Sequence, residues 1–184
     1  MNLIYMSYPK YKDEIKNLYL SAFPKEERFP FWLLEECSKE KNSDLCAILD
    51  DDKFVGMSYI VNCGDAHYLM YLAVEPNLRN LKYGSKILID FKEKYGTLLL
   101  SVDEPIDEIS IRRKNFYLRN GFYDTNKFYE DAGVRYEVLC TNDKYILTDD
   151  NMRKRYINMS NNPKLLRIIA NTFNADIVNL QDKD

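Results

Sequence analysis

Between Tyr68 and Phe91 the chain reads YLMYLAVEPNLRNLKYGSKILIDF, and the order of residue types suits one task, holding an anion. The apolar run ends at Glu75-Pro76, because proline lacks the N–H that a strand ladder needs and fixes its own φ. Past Gly84, residues Ile87, Leu88, Phe91 and Tyr95 recur at helical spacing, so Ser85 falls in the first turn of a helix. A helix N-terminus there offers unpaired N–H donors and a partial positive charge. Gly84 would let a ligand approach the main chain. A nucleotidase P-loop is a poor fit, since Gly-x-x-x-x-Gly-Lys-Ser/Thr is absent. No Cys, Ser or Lys stands in a recognisable nucleophile arrangement.

The elements that must position this loop follow from hydrophobic pattern. Asn2 to Ser7 alternates and reads as a first strand. A helix follows from about Lys10 to Ala22, with Ile15 and Leu18 inward, ended by Phe23-Pro24 because the residue before proline is pushed out of the α region. After a charged turn, Phe31 to about Lys41 reads as a second helix. Leu45 to Leu49, Phe54 to Val61 and Ala66 to Val74 form an antiparallel meander, joined by Asp50-Asp51-Asp52-Lys53 and Asn62-Cys63-Gly64-Asp65. Thr97 to Val102 is an unbroken apolar run, as in an interior strand, and the strand, helix, strand order predicts a right-handed parallel crossover. Asp107 to Arg119 reads as a helix with Ile109, Ile111, Phe116 and Tyr117 as apolar members, stopped by Asn120-Gly121. Phe122 to Glu130 and Val134 to Cys140 then pair across Asp131-Ala132-Gly133. From Lys144 a helical extension is expected, with Leu165, Leu166, Ile169 and Phe173 on one face.

Two motifs carry a family resemblance. Val74-x-Pro76-x-x-Arg79-x-x-x-Tyr83-Gly84-Ser85 resembles the acyl-CoA signature of the GNAT superfamily of N-acyltransferases, whose core is Arg/Gln-x-x-Gly-x-Gly/Ala. Arg79 fills the first position and Gly84 the last. Lys82 stands where the family usually has its first glycine, with its backbone N–H present all the same and an ammonium that could add a charge contact. Tyr117-x-x-x-Gly121-Phe122 is similar to the family's closing motif, in which a tyrosine near a helix end faces the sulfur of CoA. With the element order, the likeness covers about residues 1 to 141. It implies an α/β (α+β) fold with a central mixed, mostly antiparallel sheet flanked by helices. The domain would span residues 1–143, and 144–184 would be a helical C-terminal extension.

The resemblance implies acetyl-CoA as co-substrate and direct attack by a primary amine. Such a reaction needs a neutral amine, a place for the developing oxyanion and a proton for the leaving thiolate. Tyr117 is the candidate donor, since a tyrosine with its reference pKa of about 10 is protonated at neutral pH; the plainer reading is a core tyrosine on an amphipathic helix. The family's oxyanion donor is a strand N–H that maps to Leu72, or to its neighbours Ala73 and Val74. Main-chain groups of Arg79, Asn80, Leu81, Lys82, Tyr83, Gly84 and Ser85 would hold the pyrophosphate. Arg113 and Lys114, on nearly the same helical face as Tyr117, could reach a CoA phosphate or be solvated surface charges.

The base is less marked. Some relatives place a glutamate early in the strand before the loop, where this chain reads Ala66-His67-Tyr68. His67, the single histidine, could relay a proton, though a lone histidine at a strand start is more often a packing residue. Glu26 and Glu27, in a turn resembling the family's acceptor-side loop, and Asp103 and Glu104 after the central strand are the other carboxylates. As a group they would favour a cationic amine acceptor. Trp32, among Phe29, Phe31 and Leu33, could wall an acceptor pocket or seal the second helix to the sheet; packing is the favoured reading. The rival function, left open by Lys82 and the missing carboxylate, is a non-catalytic acyl-CoA-binding sensor or protein-interaction module.

Composition sets the remaining bounds. The 184 residues suffice for one sizeable core, and 46% hydrophobic with 30% charged residues is a soluble balance. A net charge of −3 gives no global reason to expect nucleic acid. No apolar run approaches the roughly 18 residues of a membrane span, and the first residues lack a signal-peptide layout, so a cytoplasmic protein without membrane partner is expected. Cys37, Cys46, Cys63 and Cys140 are scattered, which suits reduced, packed thiols and no metal. The extension could cap the acceptor cleft or pair with a second copy in a homodimer, the latter being slightly favoured.

Overall fold

The computed structural model describes all residues except Ala132, 174–179 and 184, and for Phe173 the backbone alone. The central element is an eight-stranded sheet in the order β1-β2-β3-β4-β5-β7-β6-β8. Its strands are β1 (Leu3–Ser7), β2 (Ser43–Asp50), β3 (Lys53–Asn62), β4 (His67–Val74), β5 (Leu98–Asp103), β6 (Tyr123–Asp131), β7 (Val134–Cys140) and β8 (Gln181–Asp182). Every pairing is antiparallel except that of β4 with β5. The helices are α1 (Lys12–Ala22), α2 (Phe31–Cys37), α3 (Tyr83–Tyr95), α4 (Glu108–Arg119), α5 (Asp149–Ile157) and α6 (Pro163–Phe173). The expected mixed, mostly antiparallel α/β architecture is the one observed.

Strand alternation divides the side chains between two cores. Tyr68, Tyr71 and Ala73 of β4 enter a cluster with Ile15, Tyr19, Leu33, Leu34, Met152 and Tyr156, the side of α1, α2, α5 and α6. Leu69, Leu72 and Val74 enter the other, with Ile87, Phe91, Phe116 and Tyr117 of α3 and α4. A bulge makes the switch: Tyr59 faces Tyr71 and Ile60 faces Leu69, so β4 carries one extra residue, Met70.

The feature that creates a site is a gap in the sheet. β4 and β5 pair only at His67↔Leu98 and Tyr68↔Leu99, after which β5 continues against β7 through Asp103↔Tyr136. From Leu69 onward the two strands part, leaving a wedge between them.

Several boundaries moved for local reasons. α2 stops at Cys37 because Ser38, Lys39, Glu40 and Lys41 offer nothing apolar to bury. Asp107 caps α4 rather than joining it, accepting from Ser110 N–H at 2.7 Å in a capping box. Ile109 and Ile111 are exposed, so the apolar packing of α4 comes from Phe116, Tyr117 and Leu118. Trp32 is 47% exposed and does not seal α2, whose inward residues are Phe31, Leu33 and Leu34. The hairpin residue Ala132 lies outside the described residues.

The extension is built into the core. Met152, Tyr156, Met159 and Ile169 are buried with α1 and α2, and Leu165 and Leu166 pack beside them. Ser43 Oγ donates to Met159 O at 2.9 Å, and Asn158 Nδ2 to Asn62 O at 2.8 Å. The apolar face of α6 is therefore used within the chain; the Phe173 side chain expected on it lies outside the described part. β8 adds to the free edge of β6. Among the described residues no helix is long and apolar enough to cross a membrane.

Candidate active site

The wedge opens into a cleft of about 760 Å³. One wall is β4 from Leu69 to Val74, the opposite wall carries Leu100, Ser101 and Asp103 of β5, and the loop before α3 closes one mouth.

That loop starts with one 3-10 turn, Pro76–Leu78, and reaches α3 through two residues in the left-handed region, Asn80 (φ 66°) and Lys82 (φ 67°). Lys82 thus adopts a conformation that glycine takes freely and other residues enter at a cost of about 1–2 kcal/mol. The first helical hydrogen bond of α3 is Lys86 N–H to Lys82 O at 3.1 Å, so the N–H groups of Tyr83, Gly84 and Ser85 precede the ladder. No side chain caps this end. Tyr83 turns its phenol away, donating to Asp50 at 2.8 Å, and leaves its main chain at the cleft. Gly84 has a packing reason as well: a Cβ there would stand 2.9 Å from the Phe116 ring.

Strand alternation sorts the β4 amides. Glu75 N–H bonds Val55 O at 3.0 Å, so Glu75, Ala73 and Tyr71 turn their N–H groups toward β3. Leu72 and Val74 turn theirs to the parted side. Val74 O accepts from Arg79 Nε at 3.4 Å on that side. Of the three oxyanion candidates, Ala73 therefore points its N–H away from the cleft.

Tyr117 enters from α4, its ring edge-on to Phe116 and Phe122 at 5.2 and 5.6 Å. Tyr117 lines the cleft, and its hydroxyl has no hydrogen-bond partner among the described residues. Burial pushes its pKa up to about 12, against the pull of Arg113. Arg113 itself is paired with Asp103. Glu27 reaches the cleft from the 3-10 turn Lys25–Glu27, a turn pinned by Tyr71, whose hydroxyl donates to Glu27 O at 2.9 Å. Burial, and then the nearby Asp103, raise the Glu27 pKa, with Arg113 opposing.

This arrangement resembles that of a known family. Residues 41–124 match the model of the acetyltransferase (GNAT) domain. Over those residues the chain is similar to a GNAT acetyltransferase domain. A GNAT-family protein from Bacteroides thetaiotaomicron is 24% identical with a TM-score of 0.69, the match covering 80% of this chain and 89% of that one. A Bacillus subtilis acetyltransferase solved with CoA is 16% identical, TM-score 0.58, covering 77% and 99%. A chimera of the Vibrio cholerae spermidine N-acetyltransferase is 12% identical, TM-score 0.61, covering 78% and 96%. At these identities the likeness speaks for the fold. No curated protein matches the sequence.

Of the residues expected at the site, Leu72, Ala73, Val74, Arg79, Asn80, Lys82, Tyr83, Gly84, Ser85, Arg113, Tyr117, Glu27 and Asp103 all come to the cleft, whereas Glu26 and Leu81 do not line it. Leu81 faces solvent. Lys114 is held by Asp124 and Glu137 and lies off the cleft. His67 sits at the closed end of the wedge, its Nδ1 3.1 Å from Tyr95 O, with burial lowering its pKa. Of the aromatic wall, the sequence pointed only to Phe29, beside Trp32; Tyr129, Tyr136 and Tyr156, with Arg155 among them, were missed. Among the described residues no group of three or more His, Cys, Asp or Glu is placed to hold a metal.

Proposed function

We propose that the protein transfers an acetyl group from acetyl-CoA to the primary amine of a small molecule, by direct attack inside this cleft. The observation that carries the reading is the convergence of three groups: the uncapped start of α3, the Leu72 N–H turned to the parted side of β4, and the Tyr117 hydroxyl, without a hydrogen bond among the described residues. Neighbours of the same fold include one solved with CoA and one named for spermidine acetylation.

Main-chain N–H groups from Lys82 to Ser85 would hold the diphosphate, with Arg79, Arg112 and Arg119 adding positive charge at that mouth. The left-handed Lys82 supports this fit, because its backbone takes the path that a glycine would. The ammonium's first proton passes to solvent, and Glu27, ionised, accepts the proton that the nitrogen sheds as the neutral amine attacks. As the N–C bond forms, the carbonyl oxygen gathers charge, and Leu72 N–H stabilises it. When the C–S bond breaks, Tyr117 gives its proton to the sulfur, and solvent returns the proton held by Glu27 to the phenolate. The four cysteines are free and buried, with burial pushing Cys37 and Cys63 up to about 12, so no thiolate competes as a nucleophile. We place the reaction in the cytoplasm.

The sensor alternative rested on Lys82 and on the missing carboxylate before Tyr68. Both grounds weaken, since Lys82 adopts the glycine-like conformation and Glu27 brings a carboxylate from another element. Thiol release from acetyl-CoA with a panel of amines, alongside calorimetry with CoA, tests the proposal. Turnover that collapses in Tyr117→Phe while CoA still binds supports it; CoA binding without turnover of any amine would make the chain a sensor.

A further inference from the structure

On the side of the sheet opposite Tyr117, the cleft ends at a buried cation. Arg155 of α5 is 2% exposed and lines the cleft with Tyr68, Ser101, Tyr129 and Tyr156. Its Nη1 donates to Tyr68 Oη at 2.7 Å and to Tyr129 Oη at 2.9 Å, while Nε has no partner. Among the described residues no carboxylate lies within ion-pairing distance of the guanidinium. Tyrosine rings surround it instead, with centroids at 5.0, 4.4 and 4.5 Å for Tyr68, Tyr129 and Tyr156. Burial raises the pKa of Tyr68 and Tyr156, so at neutral pH they are neutral phenols and do not cancel the charge. A buried guanidinium without a counter-charge is strongly unfavourable unless something supplies one.

Proton bookkeeping gives the sign of the missing group. Both Nη1 hydrogens are spent on tyrosine oxygens and Tyr156 shares a further hydrogen bond with the guanidinium, which leaves the Nε hydrogen as a donor without a partner. Tyr129, having accepted, still has its own O–H to give. Tyr68 Oη and Ser101 Oγ lie 2.6 Å apart, and whichever donates to the other, one hydroxyl proton of that pair is left over. The pocket therefore presents a positive charge and surplus donors.

We propose that Arg155 is an acceptor-binding residue, and that the amine acceptor carries a carboxylate which this guanidinium engages: an amino acid or a similar short amino-carboxylate. The inference rests on the acetyltransferase reading above and names its substrate class. A planar fork with two flanking hydroxyls matches the two oxygens and single charge of a carboxylate. The place suits the acceptor and not CoA, because α3, its loop and Tyr117 belong to the other side of the sheet. Phe29, two residues after Glu27, meets Tyr156, next to Arg155, at 6.1 Å between ring centroids. One aromatic wall thus joins the carboxylate that would take the amine's proton to the cation that would hold the acid. The reading replaces the cationic acceptor inferred from the acidic residues, since Asp103 is already paired with Arg113.

The test uses the full-length protein with acetyl-CoA and a probe set of free α-, β- and γ-amino acids, their carboxamides, and spermidine. The wild type should acetylate at least one amino acid with kcat/KM roughly 100-fold above that for its carboxamide. Arg155→Gln should erase that difference, mostly through KM, with CoA affinity by calorimetry unchanged; Arg155→Lys should restore part of it. A wild type that uses spermidine or the carboxamides as well as the acids overturns the inference while leaving the acetyltransferase intact. A CoA-saturated wild type that neither turns over nor binds any acid in preference to its amide overturns it too. Failure to bind CoA at all would instead remove the reading on which it rests. The wild-type comparison of acid with amide stands even if the variants fold poorly.

Discussion

The tip of the Phe116 ring lies 2.9 Å from where a Cβ would stand on Gly84. Glycine there lets the N-terminus of α3 and the second half of α4 touch, and Phe116 is followed by Tyr117. The contact ties the loop proposed to hold the diphosphate to the proposed proton donor. Gly84→Ala should push the ring aside, cost about 1–2 kcal/mol of stability and lower kcat/KM for acetyl-CoA. A denaturant midpoint and kinetics both at wild-type values would show that the two helices are not coupled through this glycine.

Tyr117→Phe removes one oxygen from a side chain whose ring contacts with Phe116 and Phe122 remain. We expect kcat to fall roughly 100-fold, with stability and KM for acetyl-CoA little changed. With its pKa pushed up to about 12, this phenol stays protonated through the neutral range and adds no inflection to the pH profile there. An undiminished kcat would reassign the proton donor.

How much of this could be read in the chain depends on how local the cause is. The α3 loop is local: Pro76 ends a strand, and Ile87, Leu88 and Phe91 sit at helical spacing. The wedge between β4 and β5 is not, because it arises from two strands that pair at one end only. Arg155 lies in a run of charged residues, NMRKRY, where nothing distinguishes it from Arg153 or Lys154. Its burial is decided by Tyr68 and Tyr129, 87 and 26 residues away. Trp32 misleads in the opposite sense, a large apolar residue that α2 turns outward.

Glu27 links activity to pH in a defined direction. Burial and Asp103 raise its folded pKa, so the native state holds this proton more tightly than the unfolded chain does. Stability is therefore lost as pH rises through the window between the ordinary glutamate value and the raised one. As a base it must be ionised, so kcat/KM should rise with pH across the same window. Glu27→Gln should lower kcat roughly 100-fold, abolish that acid limb and make the protein more stable at neutral pH. A variant with the wild-type acid limb would place the base elsewhere.

Ending the chain at Asp143 would strip the core of Met152, Tyr156, Met159 and Ile169. At about 2 kcal/mol for each buried side chain, the loss rivals the whole net stability of a domain, about 5–15 kcal/mol. We expect the truncated chain to be insoluble or without a cooperative melt. A folded, cooperative 1–143 fragment would show the extension to be an appendage.

Lys82 offers the reverse experiment, a substitution that should stabilise. Its φ of 67° places a Cβ in the left-handed region, at about 1–2 kcal/mol, and glycine would remove that strain. Glycine also loses more backbone entropy on folding, by about 0.5–1 kcal/mol, so the net gain for Lys82→Gly should be about 0.5 kcal/mol. The loop path and the open N–H groups of Tyr83, Gly84 and Ser85 would persist, while the ammonium near the diphosphate would be lost. KM for acetyl-CoA should therefore rise in low salt, and the difference should shrink as salt screens the lost charge. A lower melting temperature for Lys82→Gly would mean that the lysine side chain holds the loop, and that its left-handed backbone is not where the cost lies.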